Sequence, residues 1–210
     1  MSKTCADLHK LFSKAKRFRF PFDEKKIPQN GIYILFEKGE KAHGGERIVR
    51  VGTHTGRDQL RSRLKQHFTN ENKDRSIFRK NIGRALLSRD KDNFAKHWEL
   101  DLTTREAKKK HGHRIDFEKQ KEIEKKVTSH IQKNFSFVVF EVKNKNERLT
   151  LELKIISTIN QCKDCRQSKT WLGNFSPKEK IRRSGLWLVN ELFKTPLNSE
   201  DFQKLKVVVK

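Results

Sequence analysis

The chain has 210 residues and carries 49 lysines and arginines against 26 aspartates and glutamates, a net charge of +23. No apolar run approaches the roughly 18 residues that span a bilayer, no apolar segment of signal-peptide type opens the chain, and three cysteines, at 5, 162 and 165, make no disulfide framework. A cytoplasmic protein is expected, and so large a positive surplus calls for a polyanionic partner, nucleic acid before a membrane surface.

Only 33% of residues are hydrophobic, but they cluster in GIYILF, SFVVF and LELKIISTI, so a single domain over residues 1–210 with a real core is expected. Residues 5–16 read as a helix with Leu8, Leu11 and Phe12 on one face. Pro21 and Pro28 bracket an extended segment. A strand at 31–37 and a second at 47–52 form a hairpin; the glycines and charges of KGEKAHGGE (38–46) read as its turn. Leu60, Leu64 and Phe68 recur at helical spacing over 57–68. A further helix, 76–88, has Ser76 as N-cap. Residues 89–113 read as irregular, 115–134 as helix, 135–142 as strand and 147–161 as helix. Cys162 and Cys165 form one C-x-x-C without a second pair. A zinc site normally takes four ligands, and only His111 and His113 are spaced to complete one, so two thiols near a helix end is the favoured reading. Trp171 either packs the C-terminal helices, the favoured reading, or stacks on a base. Ser176 and Pro177 open a short helix that Gly185 ends, and Ser199 caps a last one. The order β-β-α-α-α-β-α describes a small mixed α/β domain.

Three polar groups fall where apolar ones belong. On the 147–161 helix, at about 100° per residue, Glu152 lies inside the stripe of Leu149, Leu153, Ile156 and Ile159. A buried carboxylate costs several kcal/mol unless paired, so Glu152 either meets a cation or amide or ligates a metal. On 57–68, Arg63 and His67 border the buried side together, at i and i+4. They either snorkel to solvent or look into a cleft. Tyr33, the only tyrosine, lies opposite Ile32, Ile34 and Phe36 on its strand. Alternation places Ile48, Arg50 and Gly52 together on the next, with Gly52 allowing close backbone approach. An acid, an arginine and a weak base at one end of a sheet, on a strongly basic chain, describe phosphodiester hydrolysis.

These residues resemble the GIY-YIG nuclease superfamily. GIY stands at 31–33, RVG at 50–52 replaces the second half-motif, RSRLKQHF (61–68) is similar to the family's arginine-bearing helix, and LELKIIS (151–157) to the helix with its metal-binding glutamate. VGTH (51–54), SIFRKNIGRAL (76–86) and SKTWLGNFSPKEKIRRSGLW (168–187) resemble segments of compact restriction-type members. The resemblance implies a three-stranded antiparallel sheet flanked by helices, with a core at about 30–68 and 135–161, an insertion at 69–134 and a C-terminal helical extension at 162–210. It implies one divalent metal, normally Mg²⁺, on Glu152. Tyr33 would act as or orient the general base, Arg63 would stabilise the scissile phosphate, and His67 would contact the phosphate or assist proton transfer. Arg50 departs from the family's second tyrosine; it would hold a phosphate, with His54 taking a proton-transfer role.

The expected substrate is double-stranded DNA, with a homodimer on a palindromic site as one arrangement. Candidate phosphate contacts are Arg61 and Lys65, Arg79 and Lys80, Arg84, Lys108 and Lys109, Arg114, and Arg182 and Arg183.

Overall fold

The computed structural model describes residues 3–209. A first helix, α1 (Lys3–Lys14), buries Cys5, Leu8, His9 and Phe12 on one face. The central sheet is antiparallel, in the order β1 (Phe18–Arg19), β4 (Phe135–Glu141), β2 (Gly31–Ala42), β3 (Gly45–Gly52). Its hairpin is β2 and β3, and β4 lies on the other side of β2. The fourth strand, β1, pairs with β4; two residues carry no periodicity, so it has no signature in sequence. The mixed α/β class, with helices on both faces of a small antiparallel sheet, is as expected.

The segment 38–46 is mostly strand, contrary to its reading as a turn. Lys41 pairs with Glu46 and Ala42 with Gly45, which leaves His43 and Gly44 at φ 51° and 76°. Two residues at positive φ are what a tight type I′ hairpin needs. The 57–68 helix starts later, at Leu60, and 89–113 contains α4 (Ala95–Trp98) and α5 (Arg105–His111). At the C-terminal end, α8 (Glu179–Ser184) ends at Gly185, φ 69°, as expected. Its N-cap is Lys178, and the last helix, α9 (Ser199–Val208), is capped by Asn198 in a capping box with Asp201.

Period-two alternation divides the sheet between two cores. Tyr33, Leu35 and Phe137 face α2 (Leu60–Phe68), α3 (Ile77–Arg89) and α6 (Phe117–Asn134). Ile32, Ile34, Phe36 and Ile48 face α1 and α7 (Lys145–Asn160). The β2–β3 register shifts twice, between Phe36 and Lys41 and, next to the site, on β3. Phe36 pairs with Ile48 and Leu35 with Arg50, so Val49 is an inserted residue, a β-bulge. The sequence placed Ile48 and Arg50 on one face. The bulge separates them and turns Arg50 towards Tyr33. Among the described residues no helix is long and apolar enough to cross a membrane.

Candidate active site

Tyr33 pairs directly with Gly52 across the hairpin. A Cβ built on Gly52 would fall 2.2 Å from Tyr33 Oη, so the close approach requires glycine. The hydroxyl lies 2.8 Å from His67 Nε2, and Arg50 Nε donates to it at 3.4 Å. His67 Nδ1 is in turn 2.8 Å from Ser76 Oγ, which also caps α3 by accepting from the Arg79 N–H at 3.2 Å. One helix cap thus anchors a row running Tyr33–His67–Ser76. Burial, and then the guanidinium groups of Arg50, Arg63 and Arg79, hold the His67 pKa well below its ordinary value. The imidazole is neutral, with one nitrogen a donor and the other an acceptor.

On α7, Glu152 Oε1 accepts from the Thr53 N–H at 3.1 Å. Burial pushes its pKa up to about 7, opposed by Arg50, the Thr53 N–H and Arg63 and reinforced by Glu191. Arg63 is half-buried. Its Nη1 donates to Gln66 Oε1 at 3.2 Å and to the Arg75 carbonyl at 3.3 Å, and it lines a cleft of about 390 Å³ with Thr53, His54 and Gln59. Tyr33 and His67 expose no surface. In this arrangement neither offers surface to a phosphate, and both His67 nitrogens are engaged, one with Tyr33 and one with Ser76.

Several expected roles change. His54 has both nitrogens committed to backbone: Nδ1 lies 2.7 Å from the Gly56 carbonyl and Nε2 accepts from the Gly31 N–H at 3.3 Å. Both contacts shape the 53–56 loop. Arg79, Lys80 and Arg84 are buried, because the insertion supplies acids and carbonyls to them. Arg79 pairs with Glu124 at 2.6 Å, Lys80 with Asp74 at 3.2 Å and Arg84 with Glu99 at 2.5 Å. They are cross-links within the fold. Arg61 Nε is bound to the Ile27 carbonyl at 2.7 Å and Lys65 pairs with Glu24 at 3.2 Å. Lys108, Lys109, Arg114, Arg182 and Arg183 are exposed. Trp171 packs: its indole and that of Trp187 both donate to Glu37 Oε2, at 2.7 and 2.8 Å.

Sequence reasoning missed four contributors. Ser76 was visible only as a cap, and Thr53 acts through its backbone. Glu191, at φ 62°, lies in a loop without periodicity. Trp187 offers its carbonyl to Arg50 Nη1 from far along the chain.

The family model described as GIY-YIG domain matches residues 2–210. The chain belongs to the GIY-YIG domain family. GIY-YIG domains are endonuclease domains, which assigns a nuclease-type function on nucleic acid, generally dependent on a divalent metal. No curated protein and no solved structure gives a match. The residues present fit such a metal. Glu152 is a carboxylate destabilised as an anion by burial, which a cation would offset, and Mg²⁺ is commonly held by one or two carboxylates with water completing its shell.

Proposed function

We propose that the chain is a magnesium-dependent endonuclease that cuts double-stranded DNA at specific sequences, in the manner of a restriction enzyme. The observation that carries this reading is the row Tyr33–His67–Ser76, with Arg50 donating to the same hydroxyl and acting electrostatically on Glu152.

His67 stands among three guanidiniums and resists taking up a proton. Its part is to fix the direction of the Tyr33 oxygen. Arg50 donates to the same oxygen and would offset negative charge on it, so Tyr33 would orient the attacking water and, with its own proton given up to bulk solvent, accept the water's proton. Tyr33 exposes no surface in the free protein, so substrate binding has to open a path for water to its hydroxyl while Arg50 stays on that oxygen. Arg63, at the cleft, stabilises charge on the scissile phosphate with its planar fork of donors. Glu152 holds Mg²⁺, which supplies Lewis-acid stabilisation of the phosphate when bound.

For DNA, exposed Lys108, Lys109, Arg114, Arg182 and Arg183 are the phosphate contacts that remain. A separate groove of about 730 Å³, lined in part by Arg57, Arg61, Lys143 and Lys145, offers further basic side chains. A palindromic target would take two copies of the chain.

A second reading, binding without cleavage, draws on the zero exposure of Tyr33 and on Arg50 in the place of the second motif tyrosine. The deciding experiment is incubation of the purified protein with plasmid and phage DNA, with magnesium or with chelator. Discrete magnesium-dependent fragments are expected. A nonspecific smear removes the restriction-type reading, and gel-shifted but intact DNA establishes the second one.

A further inference from the structure

A second cluster of metal-binding side chains lies on the other face of the sheet, in the core that α1 shares with β2 and β3. Cys5, His9, His43 and Cys165 each bring one ligand atom within 4.8 Å of all the others. Cys5 and His9 are one helical turn apart on the buried face of α1. His43 occupies the hairpin turn at φ 51°, and Cys165 follows the end of α7. Cys5, His9 and Cys165 are at most 3% exposed.

The distances have a chemical meaning. Cys5 Sγ lies 3.5 Å from Cys165 Sγ, and Cys165 Sγ lies 3.5 Å from His9 Nε2. Zinc bonds of about 2.3 Å to sulfur and 2.0–2.1 Å to nitrogen, at tetrahedral angles, put ligand atoms roughly 3.3–3.8 Å apart. A disulfide needs about 2.05 Å. His9 Nδ1 is 2.9 Å from the Cys5 carbonyl, the kind of backbone contact that fixes the tautomer of a zinc-bound histidine and leaves Nε2 as the ligand. The Ile48 N–H makes a 3.3 Å contact to that Nε2, so a metal-free hydrogen-bonded knot pinning α1 to β3 is the competing account. Cys162 Sγ, the other thiol of the C-x-x-C, lies 3.5 Å from His43 Nε2 and outside the four-atom cluster.

We propose that Cys5, His9, His43 and Cys165 form a tetrahedral structural zinc site, separate from the Glu152 site. The two cysteines bind as thiolates, their protons leaving to water, and both histidines bind neutral. The ligands come from α1, the hairpin turn and the loop after α7, so the ion ties three segments far apart in sequence to one point. All four positions are taken by side chains, which makes the site structural and leaves no open position for substrate. The C-x-x-C contributes one ligand; its partners are remote in sequence, and His111 and His113 take no part.

Elemental analysis of the native protein, prepared without added metal or chelator, tests this without any activity measurement. About one zinc per chain is expected, with the Cys5→Ser/Cys165→Ser double variant below about a tenth of that. Removal of the metal from wild type by a strong chelator should lower the melting temperature by about 5 °C or more, and added zinc should restore it where magnesium does not. Cobalt exchanged into wild type should show thiolate-to-metal charge-transfer and tetrahedral d–d absorption, a readout that holds even if the variants fail to fold. Cys162→Ser should keep its metal. Wild-type protein that lacks zinc and does not take it up, a Cys5–Cys165 disulfide under reducing preparation, or an unchanged melting temperature on metal removal overturns the proposal. Loss of zinc in Cys162→Ser with retention in His43→Asn overturns the assignment of His43.

Discussion

Gly52 stands directly across the β2–β3 hairpin from Tyr33 and leaves the aromatic ring the space a side chain would fill; a Cβ there would come within 2.2 Å of the hydroxyl oxygen. Gly52→Ala should therefore displace Tyr33 from His67. Overpacking of this kind costs about 1–3 kcal/mol, and the loss of cleavage should exceed what the lost stability explains. Denaturant unfolding and single-turnover cleavage, measured on the same preparation, check both halves. A variant with wild-type rate shows that the hydroxyl's position is immaterial.

Tyr33→Phe keeps the ring and removes the hydroxyl. A fall in rate of about 10²-fold or more is expected, the usual scale for a lost proton-transfer group, with little change in unfolding free energy. Ser76→Ala tests the far end of the row. It frees His67 Nδ1 and removes the α3 cap, costing about 1 kcal/mol together with part of the rate. Equal rates for wild type and Tyr33→Phe would sink the tyrosine mechanism.

Glu152 predicts a pH dependence with a definite sign. Its pKa of about 7 in the folded chain lies above the ordinary 4.5, so folding favours the protonated carboxyl. That contribution is complete below about pH 4.5 and is lost as pH rises through 7. Without divalent metal, Glu152→Gln should be more stable than wild type at pH 8 by roughly 1–3 kcal/mol, and no longer active. Divalent-metal affinity should rise with pH up to 7, by about tenfold per unit for exchange against one proton. Calorimetric metal titrations between pH 5.5 and 8 read this directly, and a flat profile removes Glu152 as the ligand.

The basic residues divide into two classes by what they touch. Arg79→Ala leaves Glu124 buried without its partner and should cost about 3–5 kcal/mol of stability. Lys108→Ala/Lys109→Ala should leave the melting temperature nearly unchanged while reducing the salt slope of DNA binding by up to about two. The reverse pattern would mean that α5 is structural and that Arg79 reaches DNA.

The sheet faces were legible because Tyr33, Leu35, Ile32 and Ile34 alternate without interruption. Glu152 stood out because a charge on an apolar stripe needs a reason. Arg50 and Gly52 were placed together and both lie against Tyr33; only the grouping of Ile48 with them failed, since one inserted residue, Val49, changes the phase between Ile48 and Arg50 and a bulge leaves no mark in composition. Burial of Arg79, Lys80 and Arg84 was hidden for a different reason. Whether a basic residue is solvated depends on acids brought from elsewhere, here Glu124, Asp74 and Glu99, and no local pattern records that. The Cys5 and His9 pairing at one helical turn was in plain view, but its partners lie at positions 43 and 165, and only folding brings them there.

Arg50 takes its backbone acceptor from Trp187, 137 positions further along the chain. On a ribosome, this contact cannot form until residue 187 has been made. A nascent or prematurely terminated chain ending before residue 187 would present Tyr33, His67 and Glu152 without the anchor that aims Arg50. The order of synthesis then makes the Tyr33 site one of the later features of the fold to be completed.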